Sequence, residues 1–326
     1  MKKHNKKLLI SFIIMLSVWI VWYGYTFPNS QLILEKNWPI TLTMVFGSFI
    51  AGATSSGGGA IAFPVFTKIL SIPALDAKIF SLAIQSVGMS AATLSIIIMR
   101  IPIEWRIVWW ASLGGVFGVF LGSILIAELL PSNLIKMLFS MVIASFALTL
   151  AIVNWNKRSY NNSLPVFSIV EKSILVLSGF VGGVMTGLVG NGIDIICFSV
   201  MVLLFRLSEK VSTPTSVILM AINAIIGFSA HLFIVGGFSL QVESYWLAAI
   251  PVVVIGAPLG VYFCTKLNNK TIASMLICLI SFELLSSILI IPQTSFIISI
   301  SVFYFLLSSL IFYRLHLVTR YKPSQG

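Results

Sequence analysis

Charge is what this sequence has least of. Only 9% of its 326 residues are Asp, Glu, Lys or Arg, against roughly 25% in a soluble domain. Three histidines and three scattered cysteines (Cys197, Cys264 and Cys278) supply neither a metal-ligand set nor a disulfide framework. No P-loop is present, so ATP is not expected to drive the protein directly. No G-x-S-x-G nucleophile elbow occurs either, and an intramembrane Ser–His enzyme built from Ser55 or Ser56 with His231 is a remote reading. The longest polar stretch runs only from Asn154 to about Lys172, too short for an extramembrane domain. Apolar residues are what the chain has in excess, at 58%, more than a soluble fold can bury.

The expectation is an all-α polytopic protein of the cell membrane. A helical span needs about 20 apolar residues, and ten apolar stretches can be drawn, at about 8–27, 40–69, 79–99, 107–127, 134–153, 173–205, 212–235, 245–265, 271–291 and 294–313. The first follows Met1-Lys2-Lys3-His4-Asn5-Lys6-Lys7 but is too long for a signal peptide and lacks its cleavage site. Placing the N-terminus inside puts 14 of the 20 basic residues on the inner side and 6 outside. That asymmetry predicts both termini in the cytoplasm. The net charge of +11 then reflects inner loops, not nucleic-acid binding.

Two of the ten stretches are overlong and broken by glycine. One runs from Gly47 to Pro64 through Ser55-Ser56-Gly57-Gly58-Gly59, the other from Gly179 to Ile196 through Gly190-Asn191-Gly192. Each glycine costs about 1 kcal/mol in a helix interior relative to alanine, so the helices are expected to break there. Asp76-Ala77-Lys78 follows the first break as Glu209-Lys210 follows the second, and Gly118-x-x-x-Gly122 answers Gly256-x-x-x-Gly260. The chain divides accordingly: 1–39 with helix 1, a repeat at 40–153, a loop at 154–172, a second repeat at 173–291, and 292–326 with helix 10. Counted as four crossings each, the two repeats are expected to be parallel. Paired, Gly-interrupted helices point to the binding site of a secondary transporter. A half-helix starting at Gly59 or Gly192 presents free N–H groups and a positive dipole end to an anion.

Ser56-Gly57-Gly58-Gly59-Ala60-Ile61-Ala62-Phe63-Pro64, with the weaker echo Gly190-Asn191-Gly192-Ile193-Asp194, resembles the signature of the TauE/SafE family of sulfite and organosulfur-anion exporters. The likeness covers about Val45 to Ile291. It implies two four-helix repeats with the substrate between them, and transport of sulfite, sulfonates, thiosulfate or similar anions. Ser55-Ser56 and Asp194 depart from the family's usual residues.

The expected function is a secondary carrier of a small sulfur oxyanion or organosulfonate, without a cofactor. A carboxylate carrier and a passive anion channel are the alternatives. Substrate contacts are expected from Ser55, Ser56, Gly57, Gly58, Gly59, Gln85, Gly190, Asn191, Gly192 and Asn223. Ionisable residues inside spans are functional candidates because their burial is costly, so Asp194, Glu283 and His231 are the candidates for proton or ion coupling. Asp194 also has a plainer reading as a cap on the Asn191–Gly192 backbone. Lys68 and Arg206 read as inner-side anchors, or as charges that draw anions toward the site, and Lys136 counts among the inner-side basic residues.

Overall fold

The computed structural model describes residues 2–55, 62, 65–127, 129–155, 159–318 and 320–321, and for residues 2–10, 68 and 155 the backbone alone. It is helical throughout. Helix α1 (Lys2–Thr26) meets α2 (Ser30–Lys36) at a 96° bend. Next come α3 (Trp38–Ala53), a π-helical turn (Val65–Ile69), α4 (Ala74–Met99), α5 (Trp105–Ile126) and α6 (Ser132–Trp155). The second half holds α7 (Ile169–Val189), α8 (Ile193–Leu204), α9 (Glu209–Val235), α10 (Leu240–Lys266), α11 (Asn269–Ile290) and α12 (Ser295–Leu317). Side-chain caps start several of them: Ser168, Ser239, Asn268 and Thr294 each accept an N–H from the first turn that follows, satisfying donors that lipid could not.

Among the described residues, eight helices are long and apolar enough to cross a membrane, or nine with α1 and α2 taken as one bent span. The expected ten is close, and the difference lies in the broken stretches. Two faces can be assigned from loop contacts. Asn161 exchanges backbone hydrogen bonds with Arg206 and Ser208 (2.8 and 2.9 Å), and its side chain donates to the Tyr321 carbonyl. Leu164 N–H donates to Glu104 at 2.8 Å. These segments share one face, the Glu104 face. At the other, Tyr25 donates to Glu243 and Asn37 to Ser244, defining the Glu243 face.

The second broken stretch leaves the Glu104 face in α7 and returns to it in α8. Ile193 N–H donates to Thr186 Oγ1, and Cys197 lies 3.8 Å from Ser178, so α8 runs back along α7 as a hairpin. At twelve residues, α8 is about 18 Å long, far short of a hydrocarbon core of about 30 Å. The first broken stretch behaves alike from the opposite side. α3 leaves the Glu243 face beside α10, with Asn37 on Ser244 and Thr41 on Ala248. The chain is back at that face by Phe66, which packs edge-on against Phe80 near the start of α4.

This corrects the expected parallel repeats. Each broken stretch folds back instead of crossing, so each half has one hairpin and three crossings, and an odd number of crossings reverses orientation. The order hairpin, α4, α5, α6 is repeated as hairpin, α9, α10, α11 in the opposite sense. It also corrects the placement of Arg206, which lies on the same face as the Asn161 loop, not across from it.

The halves interlock through their glycines. Gly114, Gly118 and Gly122 of α5 let α7 approach until a Cβ at any of them would strike the backbone of Val176, Phe180 or Val184. Gly260 of α10 admits α3 in the same way, against the Phe49 backbone, and a Cβ at Gly256 would strike the Ser48 hydroxyl. Small residues permitting close backbone contact are the usual means of helix association in lipid. The second crossing helix of each repeat thus clasps the hairpin of the other.

Candidate functional site

Between the two hairpins lies a cavity of ≈ 60 Å³. A water needs some 10–15 Å³ on this measure, so the space suits one small oxyanion or a few waters. Its polar lining comes from both halves: Ser48 on α3, Ser81 and Gln85 on α4, Lys136 and Ser140 on α6, Asn191 at the second hairpin tip, and Glu283 and Ser287 on α11. The rest is apolar and includes Met44, Ala62, Phe66, Phe80, Phe139 and Val253.

The second tip is held by α4. Gly190 has φ 95° and Gly192 φ 153°, conformations that glycine adopts cheaply and L side chains do not. The Gly190 carbonyl accepts from Gln85 Nε2 (3.1 Å) and Ser81 Oγ (3.3 Å), while Lys78 Nζ donates to the Gly187 carbonyl at 3.0 Å. Donors from α4 thus meet the negative end of α7, which fixes Asn191 toward the cavity.

The start of α8 is not an open anion site. Gly192 N–H donates to Asp194 Oδ1 at 2.9 Å, and Ile193 N–H to Thr186 Oγ1 at 3.0 Å. The backbone donors expected for a substrate are met by the chain's own groups, so the capping reading of Asp194 describes its geometry. Asp194 is buried, and its Oδ2 has no hydrogen-bond partner.

Of the remaining expected residues, Gln85, Asn191 and Glu283 meet at the cavity. Asn223 does not; it donates to the Leu219 carbonyl and faces Gly115 and Ile193 between α5, α8 and α9. His231 sits at the Glu243 end of α9 with Nδ1 on the Gly236 carbonyl at 3.1 Å, away from the cavity lining. Ser55 is buried, its hydroxyl without a hydrogen-bond partner. Ser56, Gly57, Gly58 and Gly59 lie outside the described residues. Lys136, Ser140 and Ser287 were not expected. Their signal in the sequence is a charge followed by serine one helical turn on, Lys136/Ser140 and Glu283/Ser287, on helices that correspond between the halves.

A family model described as "Sulfite exporter TauE/SafE" matches residues 6–286. No curated protein and no solved structure matches the chain.

Proposed function

The chain belongs to the sulfite exporter TauE/SafE family, a family of membrane transporters, and from that premise we propose that it is a secondary carrier of sulfite or a closely related sulfur oxyanion or organosulfonate, bound in the cavity between the hairpins. The observation that carries the reading is the pair of hairpins entering from opposite faces to meet one small cavity that receives polar groups from both halves. Repeats related by inversion can exchange conformations, and rocking one against the other around a fixed site opens it to each face in turn. Gln85 and Asn191 supply neutral contacts from the second hairpin's side. Ser55 and Ser56–Gly59 are assigned the equivalent role at the first, and Glu283 takes the coupling role. The working units are the repeats at 40–153 and 173–291.

Orientation follows from the described basic side chains. Nine (Arg100, Arg106, Lys172, Arg206, Lys210, Lys266, Lys270, Arg314 and Arg320) belong to the Glu104 face and three (Lys36, Lys78 and Lys136) to the other half. We assign the Glu104 face, and with it both termini, to the cytoplasm.

Counterflow in proteoliposomes tests the function. Unlabelled sulfite trapped inside should accelerate entry of labelled sulfite, and Gly192→Val, whose side chain would collide with Met185, should abolish it while the protein remains in the membrane. Entry without acceleration would make the protein a channel. Acceleration by lactate alone would replace sulfur anions with carboxylates.

A further inference from the structure

Within the cavity, α6 and α11 meet through a polar contact. Ser140 Oγ donates to Ser287 Oγ at 2.8 Å, and both side chains are buried. The two helices occupy the same place in their repeats and run in opposite directions. Lys136 therefore lies one turn from this contact toward the Glu243 face, and Glu283 one turn from it toward the Glu104 face. Both line the cavity, Lys136 with only 8% of its surface exposed. They supply one positive and one negative charge, and among the described residues no other lining residue is charged.

The charges that reach Glu283 are Lys136 on α6 and Asp194 on α8. Asp194 is engaged by backbone N–H groups at its own hairpin tip. α9, also packed on α11, carries Glu209 and Lys210 in its first turn and His231 near its last, none of which reaches Glu283. Ions in lipid are retained where they serve a pathway or pair with one another. Here one lysine and one glutamate, of opposite formal charge, share a cavity sized for an oxyanion.

We propose that Lys136 is the positive charge that holds the substrate anion, and that Glu283, its counter-ion in the empty cavity, takes up one proton when the anion arrives. This rests on the carrier reading above. The balance is simple: a monoanion enters beside Lys136, a proton from water on the open side goes to a Glu283 carboxylate oxygen, and no substrate bond is made or broken. The loaded cavity is again neutral, which removes the cost of carrying net charge through a low-dielectric layer. Transport is then one anion with one proton, and net movement responds to a pH gradient without moving charge.

The test uses the purified full chain and three changes, Lys136→Met, Lys136→Arg and Glu283→Gln, with thermal shift for binding and proteoliposomes for flux. Loss of a charged hydrogen-bond partner should weaken sulfite binding roughly 10- to 100-fold in Lys136→Met, and Lys136→Arg should recover most of it. Glu283→Gln, which resembles the protonated acid, should bind sulfite with little pH dependence and exchange it in counterflow, yet no longer accumulate it when a pH gradient is imposed. Wild-type binding in Lys136→Met, or gradient-driven accumulation by Glu283→Gln, would overturn the proposal. The double variant Lys136→Met/Glu283→Gln guards against misfolding, because it leaves no lone buried charge. Wild-type transport by it would make the two residues a structural pair and overturn the proposal; a folded protein that cannot bind sulfite upholds it. If the wild type responds to lactate and to no sulfur anion, the sulfur-anion reading falls, and loss of the lactate response in Lys136→Met still upholds the charge assignment.

Discussion

Gly190 carries two jobs at one position. Its left-handed backbone ends α7, and its carbonyl is gripped from α4 by Gln85 and Ser81. An alanine there would adopt the left-handed conformation at about 1–2 kcal/mol and bring its Cβ within 2.9 Å of the Lys78 carbonyl. Gly190→Ala should therefore lower stability by that order, read from unfolding in detergent, and should reduce transport more than this loss accounts for, because Asn191 shifts with the tip. At this scale the sequence was legible where a residue is unusual for its surroundings: Gln85, Asn191 and Glu283 stand out in apolar runs and do line the cavity. Asn223 and His231 stand out equally and do not, since a polar side chain bonded to a nearby backbone carbonyl, as Asn223 is to Leu219 and His231 to Gly236, looks the same in a sequence as one facing a site. Lys136 escaped for the opposite reason. A lysine in the first turns of a span reads as an interfacial anchor, and only the packing of α11 across it makes it a cavity charge.

Among elements, the hairpins were half legible. Glycine content located both breaks, but apolar length alone could not tell a crossing from a return. The distinguishing quantity is the helix after the break, and α8 at about 18 Å cannot span. Glu104 is one of the acids that tie the loops of the Glu104 face together. Glu104 accepts from Arg106 Nε and Nη2 (2.7 and 2.8 Å) and from Leu164 N–H, and its own N–H donates to Thr215. Burial pushes this carboxyl up, but the hydrogen bonds from Arg106 and Leu164 outweigh it and hold it below the usual carboxylate range. A depressed acid stabilises the fold fully above its unfolded value, near 4.3, and loses that contribution as pH falls through the folded value. The melting temperature of the wild type should accordingly drop as the solution is acidified below about pH 4, and Glu104→Gln should flatten that part of the profile while lowering stability at neutral pH.

For the whole molecule, inversion of the halves makes a prediction that parallel repeats contradict. Asn162, in the loop before α7, lies with Lys270 on the Glu104 face, whereas Gln293 lies on the other. With the exposed Cys278 replaced by serine, single cysteines at 162 and 270 should be labelled by an impermeant maleimide from the same side and a cysteine at 293 from the opposite side. Labelling of 162 together with 293 would restore a parallel arrangement. The interlock of the halves also bears on how the chain is made. α3 rests on α10, so the first hairpin leaves the ribosome long before residues 240–266, its seat, exist. α7 instead finds α5 already in place. The two hairpins, alike in the finished fold, therefore face unequal waits during synthesis, and the first is the one that needs shelter until the last quarter of the protein arrives.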